Sequence, residues 1–463
     1  MDHVHVFLMQ QYFRKITQRG ISALVDKDLR RVFSNALRLI GGNAAQAIFG
    51  MFSVFIVARA LGVDRFGQLV LVSSWSLIIL QLFSFQTSYA LVKEGSVSAA
   101  KNDYSALWSV IRFGLILDVA TAALAVIIFA LGTLLISHSV ELDPIVILLA
   151  YLYTLTMGTS IVGTPTAVLR LFGQYDAFVL HGSASGLCKL AFTGIAWVCG
   201  GGLLHFGVAW IAAQVVANVM LCVLAMREYR KQLHQHPLRE PISTIREVMT
   251  KFPEIRSRLI STNLSATLRM VRDLDVPILG LLLNPASVGL FKIARQVGAA
   301  FMKIIDPIFQ AIYPDMAEIE ERSGWRAVAL LLRKSSLVVG SCGLLAVGAF
   351  AVLGKPALEI GLGVDFVDSF PAAMFCVVGA AIWGFSQSYG AALLVWSRHR
   401  ALLVLNIFAS VIYLGSLVLL TLLWGVTGAG LSTTIYFILW SAVAMLIVRR
   451  ELEQRKILSN QVG

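Results

Sequence analysis

The residues that could do chemistry in this sequence are charges set in apolar surroundings. Lys189, Arg269, Arg272, Lys292, Arg295 and Lys303 are basic, and Asp118, Asp273, Asp275 and Asp306 are acidic. Each lies within a stretch long and apolar enough to cross a bilayer. A charge at mid-membrane costs at least about 2.5–3.5 kcal/mol on insertion scales, so each needs a wet cavity, a partner or a route to the interface. Lys292, Arg295, Ala299, Lys303, Asp306 and Gln310 recur at steps of three or four. On a helix they fall within an arc of about 80°, which makes one polar stripe the length of the membrane. The opposite face, with Val297, Phe301, Ile304, Ile305 and Ile308, is apolar.

The preceding stretch adds Thr262, Ser265, Arg269 and Arg272 on one helical face, with Asp275 pointing about 120° away and Asp273 to one side. A guanidinium suits a diphosphate because its fork binds two oxygens at once and stays charged. Arg269, Arg272, Lys292, Arg295, Lys303 and Lys189 therefore read as a phosphate-binding set. Asp273, Asp275, Asp306 and Asp118 read as coupling or ion-pair groups, and Asp118 is a candidate partner for Lys189. Purely structural pairings compete: Arg272 with Asp275, Arg269 with Asp273, and Lys303 with Asp306. Pro277 withholds the backbone donor that would serve the Asp273 carbonyl, and Pro307 does the same to Lys303, so bends are expected beside the charges. A weaker polar stripe, Asn35, Arg38, Gly42, Gln46 and Ser53, marks the first crossing. Tyr151, Tyr153, Trp383, Gln387 and Tyr389 are candidates for contact with sugar, although aromatics near helix ends also serve as interface anchors.

The elements that position these residues follow from composition. The chain of 463 residues is 57% apolar and 14% charged, with mean hydropathy +0.78, outside the range of globular proteins. Twelve apolar stretches are long enough to cross about 30 Å of hydrocarbon. They cover 33–58, 67–91, 105–136, 144–169, 177–200, 203–226, 259–283, 286–312, 327–353, 370–395, 400–424 and 426–448. The formal charge of +12 is unevenly spread. Basic residues collect before the first stretch, between the sixth and seventh, at Arg398 and Arg400, and after the last, whereas 137–143 and 354–369 are acidic or nearly neutral. That alternation predicts an even number of crossings with both termini in the cytoplasm, and it argues against nucleic acid as a partner. The five cysteines lie in apolar runs without metal spacing, and the N-terminus lacks the layout of a cleavable signal.

Two short segments repeat. Arg59-Ala-Leu-Gly-Val-Asp-Arg-Phe-Gly67 and Gly280-Leu-Leu-Leu-Asn-Pro-Ala-Ser-Val-Gly289 each read as a turn ending in a glycine that opens the next apolar helix. Their glycines lie about 222 positions apart, close to half the chain. The expected architecture is all-α and polytopic, with twelve transmembrane helices in two pseudo-symmetric six-helix lobes. Its parts are a cytoplasmic segment 1–32, lobes 33–226 and 259–448, a basic cytoplasmic linker 227–258 and a tail 449–463.

With Gly41-Gly42, Arg59 to Gly67, and Asp275 through Leu279-Gly280 to Val288-Gly289, the chain resembles the polysaccharide-transporter branch of the multidrug/oligosaccharidyl-lipid/polysaccharide exporter superfamily. The resemblance runs through all twelve stretches in order. One departure is Phe83-Ser-Phe-Gln-Thr-Ser-Tyr-Ala, where the family often has a glycine. The resemblance implies a flippase for lipid-linked O-antigen or exopolysaccharide units in the bacterial inner membrane. Its partners would be the lipid-linked oligosaccharide, the bilayer, and a polysaccharide polymerase and glycosyltransferases of the same pathway. It implies no cofactor, and the sequence has no Walker A motif. A cation-coupled drug exporter of the same superfamily is the first alternative, although such cavities more often need acidic groups. A membrane-embedded glycosyltransferase or ligase is the second, and it lacks an outer loop large enough to carry an acid/base pair.

Overall fold

A computed structural model describes residues 46–139, 143–235, 245–252 and 254–462. The N-terminal segment 1–32, Asn35, Arg38 and Gly42 lie outside the described residues, as do the side chains of Arg269 and Asp306. Among the described residues the chain is helical, with no strand. The helices are α1 (46–83), α2 (Thr87–Ala100), α3 (Tyr104–Ser139), α4 (Pro144–Gly158), α5 (Gly163–Leu171), α6 (Tyr175–Val198) and α7 (Leu203–Gln235). They continue as α8 (Ile245–Lys251), α9 (Glu254–Met270), α10 (Asp275–Leu282), α11 (Pro285–Leu362), α12 (Phe370–Val395) and α13 (His399–Val462).

Seven stretches among the described residues are long and apolar enough to cross a membrane. Two of them, Gln46–Ala100 and Arg400–Arg455, hold 55 and 56 residues, about 80 Å of helix, which is more than two bilayer cores. The chain breaks within them at glycines with φ of +73° (Gly62) and +57° (Gly425). Gly324, also at +73°, divides α11 into two limbs. Helical stretches of crossing length that miss the apolar criterion are α6, the α9–α10 pair and the first limb of α11. These are the polar helices that carry Lys189, Arg272 and Lys292. The arrangement is consistent with twelve crossings, and the chain is a multi-pass membrane protein.

Three expected crossings are interrupted rather than continuous. Residues 84–86 separate α1 from α2, and 159–162 separate α4 from α5. Between α9 and α10, Val271–Leu274 form a 3-10 turn, where Pro277 leaves the Asp273 carbonyl without its helical donor. Pro307 has a smaller effect, since the non-helical backbone of α11 is at Gly324. The tail is not free. α13 runs on to Val462, and Arg455 bonds Glu320 at 2.6 Å and Glu451 at 3.2 Å.

The repeated glycines do not open helices, which corrects the expectation from sequence. Each lies five residues beyond a turn, Gly67 after Gly62 and Gly289 after Asn284, the N-cap of α11. A Cβ on Gly67 would strike the carbonyl of Pro285, and a Cβ on Gly289 would come within 2.5 Å of the Val63 carbonyl. Pro285 and Val63 are each four residues before the opposing glycine, so the contact is reciprocal. Nearby, Arg59 donates to the Ile360 carbonyl at 2.6 Å at the end of α11, a favourable place for a cation. Phe66 meets Phe366 edge to face at 6.2 Å. Gly186 also serves packing, since a Cβ there would come within 2.7 Å of the Gln46 backbone.

Candidate functional site

A cavity of about 620 Å³ opens between the first limb of α11 and a wall built from α1, α4, α6 and α7. Three lysines face it: Lys189 from α6, and Lys292 and Lys303 from α11. Eleven residues of helix rise put Lys303 about 16 Å along the axis from Lys292. Gln296 lies between them on the same stripe. Around Lys189 the wall opposite α11 is polar and neutral, with Gln46, Ser185, Trp210, Gln214 and Asn218. No aspartate or glutamate lines the cavity among the described residues.

Lys189 reaches over the Trp210 ring, with Nζ 4.2 Å from its centroid. The indole is held in turn: its Nε1 donates to Ser53 Oγ at 3.2 Å, and Ser53 shares a 2.8 Å hydrogen bond with Thr193. A cation–π contact is worth about 0.5–2 kcal/mol, less than the cost of a charge at this depth. Water or an anion in the cavity must supply the rest. Among the described residues none of the three lysines is in an ion pair.

The arginines behave differently. Arg295 bonds Asp273 Oδ1 through Nη2 and Asp275 Oδ1 through Nη1, both at 2.7 Å. Asp275 is buried and also accepts from Tyr413 Oη at 3.1 Å and from the Val276 N–H at 2.7 Å. Arg272 stacks over Tyr436 at 5.6 Å. Arg272, Asp275 and Tyr413 line a separate cavity of about 240 Å³. Lys292 and Gln296 also border a third space of about 190 Å³. Arg295 and Asp273 face both smaller spaces, and the pair forms the partition between them.

The single basic ladder expected from sequence is therefore divided. Lys189, Lys292 and Lys303 share one cavity, whereas Arg272 looks into another and Arg295 is committed to two carboxylates. Breaking such a buried pair costs about 3–5 kcal/mol, so Arg295 is not free to bind substrate in this arrangement. In place of the expected pairing of Arg272 with Asp275, the carboxylate is taken by Arg295, which reaches back from the antiparallel neighbour. Asp118 is not the partner of Lys189. Its oxygens accept from Thr87 Oγ1 at 2.7 Å and from the Thr164 N–H at 2.6 Å. Of the aromatic candidates, Tyr153 lines the central cavity, whereas Trp383 packs against Phe437 and Trp440, and Tyr389 against Phe385. Trp210, Gln214 and Asn218 were missed. Their step of four puts them on one face, a pattern that neutral residues in an apolar helix do not advertise.

The fold is shared with solved transporters. The structure of an inward-facing multidrug resistance MATE family transporter of the MOP superfamily aligns with TM-score 0.70 at 14% identity, covering 89% of this chain and 95% of the other. The lipid II flippase MurJ in an inward closed conformation aligns at 0.61 and 14% identity, with 88% and 86% covered. VcmN, a MATE transporter of Vibrio cholerae, aligns at 0.59 and 14% identity, with 92% and 97% covered. In sequence, the chain is 26% identical over 349 residues to the inner membrane protein YghQ of Escherichia coli (strain K12), covering 74% of this chain and 96% of that protein. The family model described as polysaccharide biosynthesis protein matches residues 32–320. That is more than half of the sequence, and the chain belongs to this family.

Proposed function

We propose that this protein is a flippase that carries a polyprenyl-diphosphate-linked oligosaccharide across the bacterial inner membrane, for O-antigen or exopolysaccharide assembly. One observation carries the reading: three lysines that are in no ion pair among the described residues face a cavity on whose wall no described residue is a carboxylate. Fixed positive charge lowers the cost of moving a diphosphate through a low-dielectric region, because it replaces the water the anion gives up. Lys189 and Lys292 bind the diphosphate, and Lys303 receives it at the cytoplasmic mouth. The amide and hydroxyl wall takes the sugar, while the lipid tail stays in the bilayer. Arg272 and Arg295 act behind this site, with Asp273 and Asp275, by holding the 3-10 turn of the seventh crossing in shape. Arg269 and Asp306 remain candidates by sequence position. Residues 33–226 and 259–448 move as two lobes about the cavity, with both termini in the cytoplasm.

Membership of the polysaccharide biosynthesis family supports a role on this route. The MATE-like fold also suits an exporter of cationic drugs, but a cavity with three lysines and no carboxylate among its described residues repels such cargo. Surface polysaccharide and membrane-protein level, measured together, test the proposal. Lys189→Ala and Lys292→Ala should each lower surface polysaccharide at least tenfold at normal protein level. Wild-type polysaccharide in the Lys189→Ala, Lys292→Ala, Lys303→Ala triple variant would remove the reading.

A further inference from the structure

Asp118 is a second membrane-embedded carboxylate, set apart from the Arg295 cluster. Asp118 is 6% exposed within the bundle and has no ion pair among the described residues. This contrasts with Asp275, which Arg295 neutralises. Asp118 lies where two interrupted helices restart. Thr87, its hydroxyl donor, is the first residue of α2. Thr164, its N–H donor, is the second residue of α5. Gly163 is needed for this approach, because a Cβ there would strike Thr87 Oγ1 and come within 2.9 Å of Asp118 Oδ1.

We infer that Asp118 is a proton-binding site that couples protonation to the shape of the cavity wall. Two hydrogen bonds and one helix N-terminus offset only part of the cost of burying a carboxylate. The ionised and neutral forms are therefore close enough to exchange. A neutral carboxyl gains a donor, and the Thr164 hydroxyl, 3% exposed and with no other partner among the described residues, stands beside it, able to donate to the carboxylate and to accept from the neutral form. The new O–H finds its acceptor there, while the charge-assisted bond from the Thr164 N–H weakens. A metal cation fits poorly, since an N–H already occupies Oδ2 and cannot act as a ligand.

The link to the cavity is short. The interruption at 159–162 supplies Ser160 and Val162 to the wall of the central cavity. The same segment is tied to α7, where Asn218 donates to the Thr156 carbonyl at 3.3 Å and to Thr159 Oγ1 at 3.2 Å, and Cys222 Sγ donates to the Ile161 carbonyl at 3.4 Å. The α7 residue beside Asp118 is Cys222. Arg112 on α3 is six residues from Asp118, Lys93 on α2 six from Thr87, and Arg170 on α5 six from Thr164, each about 9 Å along its helix. Glu94 on α2 lies one residue beyond Lys93. Glu247 and Lys251 on α8, packed on α3, and Glu254 and Arg256 on α9, packed on α2, stand at the cytoplasmic ends. This inference goes beyond the flippase reading and does not depend on the cargo.

The test uses the full-length protein in nanodiscs, with exposed Cys199 and Cys342 replaced by serine. Infrared difference spectra over a pH titration should contain a protonated-carboxyl band that Asp118→Asn lacks. A cysteine at Ser160, labelled by a maleimide and compared with one at Ser74, should change its relative rate with the same midpoint. Asp118→Asn should hold that ratio at its low-pH value. Thr164→Val removes a hydroxyl that stabilises the ionised form more than the neutral one and should move both midpoints to higher pH, which keeps the idea testable if Asp118→Asn does not fold. The inference fails if the band or the labelling transition survives in Asp118→Asn, if the Thr164→Val midpoint stays or falls, or if the ratio follows sodium instead of pH.

Discussion

Arg295 and Lys292 lie on one helical stripe, yet they should fail in different ways when replaced. Removing the guanidinium leaves Asp275 buried with an uncompensated charge, so Arg295→Ala should lose about 3–5 kcal/mol of stability. That loss is measured by thermal or denaturant unfolding in detergent. Lys292 is in no ion pair among the described residues, and Lys292→Ala should leave unfolding unchanged while export falls. A large stability loss from Lys292→Ala would mean that the lysine is structural. Asp103, outside the membrane-spanning helices, gives a pH prediction. The N–H of Ala106 and the ammonium of Lys251, 2.9 Å from Oδ2, hold its carboxyl below the usual carboxylate range. Its contribution is present above about pH 4 and is lost as pH falls through the lowered value. The ion pair is half exposed and worth little, so Asp103→Ala should cost about 1 kcal/mol, mainly through the lost helix cap.

Among the elements, the crossing of α1 with α11 is the most demanding contact. Gly67 and Gly289 lie against backbone carbonyls, which cannot swing aside as a side chain can. Gly67→Ala should therefore force the two helices apart and lower surface polysaccharide severalfold at normal insertion. Gly62 has φ of +73° but open space around it. Gly62→Ala should cost only backbone strain, about 1–2 kcal/mol. Gly132 has neither constraint, and Gly132→Ala should be silent in both assays. If Gly67→Ala exported as well as Gly132→Ala, the close approach would carry no function.

In the whole molecule the two ends of the bundle are tied differently. On one side the 59–67 turn docks through Arg59, Phe66 and Gly67 onto α11 and Phe366. On the other, α8 and α9 pack Val248, Ile255 and Leu259 against Leu91, Phe113 and Ala167, beside the Lys251–Asp103 pair. Under the proposed flippase function, alternating access requires at least one of these ties to open. Cysteines at Asp103 and Lys251, joined by a short reducible cross-linker, should stop export and release it on reduction. Export that continues through the cross-link would leave this end static in the cycle.

Membrane embedding, helix count and the polar character of three crossings were fixed by the sequence, because each depends on local run length and on charges that cannot be hidden in hydrocarbon. The break between α11's limbs and the end of the eleventh crossing near Trp424 were readable for the same reason. The pairing of charges was not. Arg272 is three residues from Asp275 along the chain, but Arg295 takes that carboxylate from a neighbouring helix, and only packing sets that distance. Likewise, Asp118 is partnered by Thr87 and Thr164 because two helices stop and restart beside it, an event with no strong local signal at 84–86 or 159–162. Gly67 and Gly289 were legible as a repeat but not as a contact. Periodicity records which face a residue shares, whereas a meeting of two backbones depends on how distant helices cross.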